Sequence, residues 1–163
     1  MLLGDIYLRV GNGPAAEKEL KAAQRRGADG INLKIQIARS YILQGKFTDV
    51  LDELRDNVTD PTIRADILYV RGSAYLGLGK RQEALDSFDE GEKLNPKDIR
   101  SKIGLAKVQV GMGNLPAAEA KIDEALRVNP ESVEALVLKG ELSRLKRDLA
   151  GAVAAFDQAL KVD

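Results

Sequence analysis

The chain has 163 residues, 44% of them hydrophobic but only 4% aromatic, and its 25 lysines and arginines cancel its 25 aspartates and glutamates. It holds no cysteine, histidine or tryptophan, which removes thiol nucleophiles, imidazole bases and the usual zinc, copper and haem ligands, and zero net charge leaves no basic field to draw in nucleic acid or an anionic membrane. Apolar runs such as Ala135 to Leu138 are far below the roughly 18 residues of a membrane span, and Met1 to Val10 is too short and too charged for a signal peptide.

The expectation is a single soluble domain with no catalytic residues, no cofactor and no metal, no nucleic-acid partner and no membrane insertion of this segment. Without cysteine there are no disulfides, but this does not fix the compartment. The apolar content is mostly Ala, Leu, Val and Ile, which suits close helix packing better than a strand-rich core.

One spacing organises the chain. Steps of 34 residues link Tyr7, Tyr41 and Tyr75, then Gly11, Gly45, Gly79 and Gly113, then Gly4, Ala38, Gly72, Ala106 and Gly140. The same step joins Ala16, Val50, Ala84, Ala118 and Ala152, as well as the large apolar residues Leu20, Leu54, Phe88, Ile122 and Phe156. Repeats of this length mean stacked supersecondary units, here 1–30, 31–64, 65–98, 99–132 and 133–163.

Taken in chain order, each unit reads as two helices. The first enters inside a helix, with Met1 on the fifth position of the period, so it lacks about one turn. The second closes at Asp60-Pro61 and the third at Asn95-Pro96. The fourth is the clearest: a stripe of Ile99, Ile103, Leu105, Ala106 and Val110 stops at Gly111 to Asn114, and a second of Ala118, Ile122, Ala125 and Leu126 stops at Asn129-Pro130. Each of the three Asx-Pro pairs is expected to set a side-chain cap ahead of a proline at the first helical position. The fifth unit ends at Asp163 with no polar-faced capping helix, so the chain is expected to be a piece of a longer array, or to self-associate as a homo-oligomer through its uncapped ends. Gly or Ala at the eighth and twentieth positions lets paired helices approach closely, with the large twenty-fourth residue filling the space between them.

These residues resemble the tetratricopeptide repeat (TPR) family along the whole chain. Gly72, Tyr75, Gly79, Ala84, Phe88 and Pro96 fall on its signature positions 8, 11, 15, 20, 24 and 32. The chain departs from the pattern in three ways. Lys34, Leu68, Lys102 and Leu136 replace the usual Trp at position 4, Gln109 and Ser143 replace Tyr at position 11, and Asn57 stands where a small apolar residue is normal, predicting loose packing there.

The resemblance implies an all-α fold, a right-handed superhelical solenoid of antiparallel helix pairs in about five 34-residue repeats. It also implies a concave groove lined by the first helices. Position 5 places Ile35, Tyr69, Ile103 and Val137 there, position 12 places Ile42, Leu76, Val110 and Arg144, and position 9 places Arg39, Ser73, Lys107 and Glu141. Separations of four and three put these on one helix face. The expected surface has an apolar floor with polar rungs alternating in sign, suited to an extended peptide or amphipathic helix of a protein partner. Ile35 with Arg39, and Tyr69 with Ser73, do not supply the carboxylate clamp that binds chaperone C-termini.

Residues 4–20 and 41–54 also resemble bacterial TPR lipoproteins of exopolysaccharide export and the PEP-CTERM sorting system. That implies a scaffold in the cell envelope or periplasm, with the cytoplasm as the alternative. The main reading is a non-catalytic interaction scaffold. Its rival is the regulatory or substrate-docking part of a larger enzyme, as in glycosyltransferases that carry TPR arrays.

Other features carry little chemistry. Asp86, Asp89, Glu90 and Glu92 crowd one helix but are expected on a convex, solvated face. Gly77-Leu78-Gly79 and Gly111-Met112-Gly113 lack the strand and Gly-Lys-Ser/Thr of a phosphate loop and read as turns. Arg144, Lys146 and Arg147 form a small basic cluster in a surface turn. Every repeat carries five basic residues, so no block is an electrostatic landing site.

Overall fold

A computed structural model describes residues 2–55 and 58–162, and among them the regular structure is all helix. In order they form α1 (Leu2–Arg9), α2 (Gly13–Arg25), α3 (Ile31–Leu43), α4 (Phe47–Glu53), α5 (Pro61–Gly77), α6 (Arg81–Leu94), α7 (Ile99–Gly111), α8 (Leu115–Val128), α9 (Val133–Leu145) and α10 (Leu149–Val162). None of the described helices is long and apolar enough to cross a membrane. The chain divides into two compact units, 1–87 and 88–163, with the boundary inside α6.

In the first unit α1 packs on α2 and α3, and α3 packs on α2, α4 and α5. In the second, α7 packs on α8 and α9, α8 packs on α9, and α9 packs on α10. Within each unit, helices therefore rest on their hairpin partners and on the next repeat, which is the solenoid arrangement.

The small and large positions explain the close approach. A Cβ on Gly4 would lie 2.7 Å from Leu20, and one on Gly140 would lie 2.6 Å from the Phe156 ring, so the eighth-position glycine is the socket for the twenty-fourth-position side chain. Phe88 instead lies against Gly104 of the following repeat, 2.5 Å from where a Cβ would stand. The twentieth-position residues Ala16, Val50, Ala84 and Ala118 are fully buried.

The turns inside the pairs are built alike. Gly11, Gly45, Gly79 and Gly113 all hold φ between 69° and 78°, the left-handed conformation that glycine adopts without steric cost. The fifth equivalent is Arg147, which adopts φ 62°. Both Gly-X-Gly segments are thus turns.

Capping follows the expectation at one junction and departs from it at two. Asp60 accepts from the backbone N–H groups of Thr62 and Ile63 while Pro61 opens α5. At the other two the Asx-Pro pair forms a turn, and the helix begins later, capped by Asp98 on α7 and Ser132 on α9. Proline also serves within pairs, where Asn12 and Asn114 cap α2 and α8 just ahead of Pro14 and Pro116.

The second repeat is uneven. α4 has 7 residues where α2 has 13, and α5 has 17 where α3 has 13. Pro61 forces Asp60 into extended backbone (ψ 120°) and cannot continue a helix arriving from α4, so the register restarts one turn early. Asn57, expected to pack loosely, lies outside the described residues, as do Met1 and Asp163.

Candidate partner-binding face

Within each unit the first helices of successive repeats lie side by side, α1, α3 and α5 in one and α7 and α9 in the other. Each unit thus presents its own first-helix face.

On the first face Ile35 is 3% exposed, part of the core with Leu33 and Ile37 rather than open floor. Ile42 and Tyr69 are partly buried against that core, and Leu76 is half-buried. Leu43, which was not singled out from sequence, is 46% exposed beside them. Ser73 turns inward, its hydroxyl donating to the Tyr69 carbonyl at 2.9 Å. Arg39 does not stand free, for its guanidinium lies 3.6 Å from the Asp66 carboxylate.

The second face repeats the arrangement. Ile103 is 2% exposed and belongs to the core with Ala106 and Leu138, while Val110 packs partly against it. Val137 is half-buried, and Glu141 and Arg144 are exposed. The Lys107 ammonium sits 2.6 Å from Glu134.

The two basic rungs therefore share one device. Arg39 and Lys107 occupy position 9, and each pairs with the acid at position 2 of the next repeat, Asp66 or Glu134. Sequence reasoning left these acids out, although the recurring separation of 27 residues between base and acid is a signal that could have found them. The ladder fixes the side chains along the helix layer and leaves an acid beside each base, so the face is electrically mixed.

Away from these faces, ion clusters join the helices. Glu17 accepts from Lys46 and Gln44 at 2.8 Å and from Lys21 at 2.9 Å. Hydrogen bonds from Lys46 and Lys21 hold its carboxylate down to a pKa of about 2. In the second unit Glu92 is not the solvated residue expected. Its side chain is 15% exposed, paired with Lys102 and 2.9 Å from Lys121, which also holds Glu124 at 3.0 Å. Burial opposes ionisation of Glu92, but the two lysines outweigh it and keep its carboxyl below the usual range. Lys102 stands at the family's tryptophan position, so at this register an ion cluster takes the place of an aromatic residue.

The neighbouring carboxylates are separately engaged, Asp86 by Gln82 at 2.8 Å and Asp89 by Lys93. Among the described residues no three such groups converge as metal ligands.

Family models described as tetratricopeptide repeat match residues 65–98 and 103–162. The fold is similar to that of TTC0263, a TPR protein of Thermus thermophilus, with TM-score 0.88 at 22% identity over 98% of this chain and 87% of that one. MamA from Desulfovibrio magneticus RS-1 (residues 41 to the end) is similar with TM-score 0.64 at 17% identity over 98% and 90%. The first TPR of Spaghetti (RPAP3), solved with the HSP90 peptide SRMEEVD, gives TM-score 0.59 at 20% identity over 63% and 81%. No curated protein matches. None of these concerns exopolysaccharide export, and that narrower likeness gains no support from them. Arrays of this kind typically act as non-catalytic scaffolds for protein interaction. With the 34-residue period, the helix pairs and the family models in agreement over more than half its length, the chain belongs to the tetratricopeptide repeat family.

Proposed function

We propose that the chain is a non-catalytic scaffold that holds an extended peptide or amphipathic helix of a partner protein along its first-helix faces. The observation that carries this is the composition of those faces. Half-open apolar side chains (Ile42, Leu43, Tyr69 and Leu76 on one, Val110 and Val137 on the other) alternate with the pairs Arg39–Asp66 and Lys107–Glu134. A half-buried apolar side chain still exposes area that a partner's anchor can cover at about 25 cal/mol per Å², and a fixed acid–base pair offers both a donor and an acceptor. The ligand that fits carries apolar anchors at intervals of about one helical turn, with charges of both signs between them.

The peptide of the RPAP3 complex, SRMEEVD, carries three acids among its last four residues, whereas this face lacks the lysine and asparagine set of the clamp, so recognition here rests on the apolar anchors. Selection of binders from a displayed library of random peptides tests the reading. The selected peptides should bind Tyr69→Ala and Arg39→Glu about tenfold more weakly and should bind Asp86→Arg, on the other helix of its pair, unchanged. Peptides indifferent to both changes on the first-helix face overturn it.

A further inference from the structure

Zero net charge and an even share of bases per repeat hide a sorting within the repeat. Positions 12–17 of the period form the turn inside each helix pair (residues 8–13, 42–47, 76–81, 110–115 and 144–149). In the first unit these turns carry Arg9, Lys46, Lys80 and Arg81 and no acid, and in the second Arg144, Lys146 and Arg147 against Asp148 alone. The turns between repeats (26–31, 60–65, 94–99 and 128–133) are balanced, with Arg26, Arg64 and Lys97 against Asp29, Asp60, Asp98 and Glu131. Asp49 and Glu83, just beyond the intra-pair turns, stand in the first turns of α4 and α6, where they complement open backbone N–H groups.

Exposed apolar side chains gather at the same turns. Outside α1 and α10, the large apolar residues left exposed among the described residues are Leu43, Leu78, Met112, Leu145 and Val128. All but Val128 sit at an intra-pair turn, 40% to 52% exposed. Leu43 and Met112 stay open although α5 packs on α3 and α9 on α7. Within a unit the turns are neighbours: a Cβ on Gly13 would lie 2.9 Å from Leu43, Phe47 lies against Gly77, and Lys146 reaches Glu119 of α8 at 2.8 Å. Lys46 and Lys146 are spent on Glu17 and Glu119, and Asp148 is spent capping α10 through the Gly151 N–H at 2.9 Å. Arg9, Lys80, Arg81, Arg144 and Arg147 are exposed and take part in no ion pair among the described residues. Arg147 adds an independent sign. It holds φ 62° where the other four repeats place glycine, and a residue kept in that conformation at a cost points to a use outside the fold.

We propose that the intra-pair turns of each unit rest on an anionic phospholipid surface. Leu43 and Leu78 in one unit, and Met112 and Leu145 in the other, enter the headgroup layer while the bases beside them meet the phosphates. Aliphatic tips on turns suit a deformable layer that closes around them, whereas a peptide's anchors need a concave pocket. Single-stranded nucleic acid needs exposed aromatic platforms, and Phe47, the one ring on these turns, is packed on Gly77. Apart from Leu43, which borders both, this surface is distinct from the first-helix face.

Flotation of the whole chain with vesicles of phosphatidylcholine and phosphatidylserine, against vesicles of phosphatidylcholine alone, tests this. The chain should float with the mixed vesicles only and should come off as salt is added. A base near an anionic surface contributes about fivefold in partition, so Arg147→Gly should bind about fivefold more weakly while melting no lower than wild type. Lys80→Ala with Arg81→Ala should bind about twentyfold more weakly, and Leu78→Ser with Met112→Ser about tenfold. All five side chains are exposed, so circular dichroism should show every variant fully helical. Peptides selected on the first-helix face should bind these variants unchanged, which keeps this proposal separate from that reading. A wild-type chain that ignores the mixed vesicles overturns the proposal, and its capture by poly-glutamate instead assigns these turns to an acidic protein segment. Equal flotation with both kinds of vesicle, or variants of either unit that float like wild type, overturn it equally.

Discussion

Arg147 is the residue that breaks its own repeat's rule. Four glycines occupy the left-handed turn position and the fifth repeat places an arginine there, at φ 62°. For a residue with a Cβ that conformation costs roughly 1–2 kcal/mol, partly offset by the greater freedom glycine has in the unfolded chain. Arg147→Gly should therefore raise stability by about 1 kcal/mol, read as a higher denaturant midpoint with unchanged slope. Ala118, by contrast, has no room. It is fully buried between paired helices, and Ala118→Leu should cost about 1 to 3 kcal/mol by overpacking, measured in the same titration. Both positions were legible from the 34-residue spacing, since a small residue recurring at one register reports a steric limit. The burial of Ile35 and Ile103 was not. Helical periodicity says which residues share a face but not how far a neighbouring helix closes over it, and a charge at Ile103, 2% exposed, would break the core rather than probe the surface.

At the scale of the helices, capping chemistry decides where each element begins. Asp60 satisfies two backbone donors at the start of α5, whereas Asp98 takes one backbone N–H, that of Arg100. Asp60→Ala should cost about 1 kcal/mol and fray the first turn of α5, seen as faster amide exchange at Thr62 and Ile63. The Asx-Pro pairs were visible in the sequence as boundaries, yet only one of the three acts as a cap. A proline fixes its own φ and biases the preceding residue, but it fits a turn as well as a first helical position. Which of the two occurs depends on the residues beyond it. Asp98 and Ser132 offer better-placed acceptors two residues after Pro96 and Pro130, and the helices begin there. The same proline chemistry, shifted one place earlier in the period at Pro61, shortens α4 and lengthens α5.

At the scale of the whole molecule, a chain with no net charge is tied together by ions between its repeats. Glu17 links the first and second repeats and Glu92 the third and fourth, each held by two lysines. Both carboxyls titrate below the ordinary range, so they contribute stability that is whole above about pH 4.5 and fades as the pH falls, for Glu17 toward about 2. The unfolding midpoint should drop through that window, and Glu17→Gln should flatten part of the slope. Removing one partner of the buried cluster is harsher. Glu92→Ala leaves Lys102, 7% exposed, without its nearest carboxylate and should cost about 3 kcal/mol at neutral pH, whereas Glu92→Leu with Lys102→Met should be close to neutral.

The sequence by itself determined the period, the helix pairs, the small-large sockets and the turn glycines, because each is a steric demand that one residue type meets at a fixed spacing. It also determined the family. The tertiary structure alone decided which polar residues are spent on the protein itself: Arg39 and Lys107 on the next repeat's acids, Glu92 and Lys102 in place of an aromatic core residue. A charged side chain looks the same in a sequence whether water or another helix receives it. Only the approach of that helix, which depends on every residue between them, settles whether the charge is left for a partner.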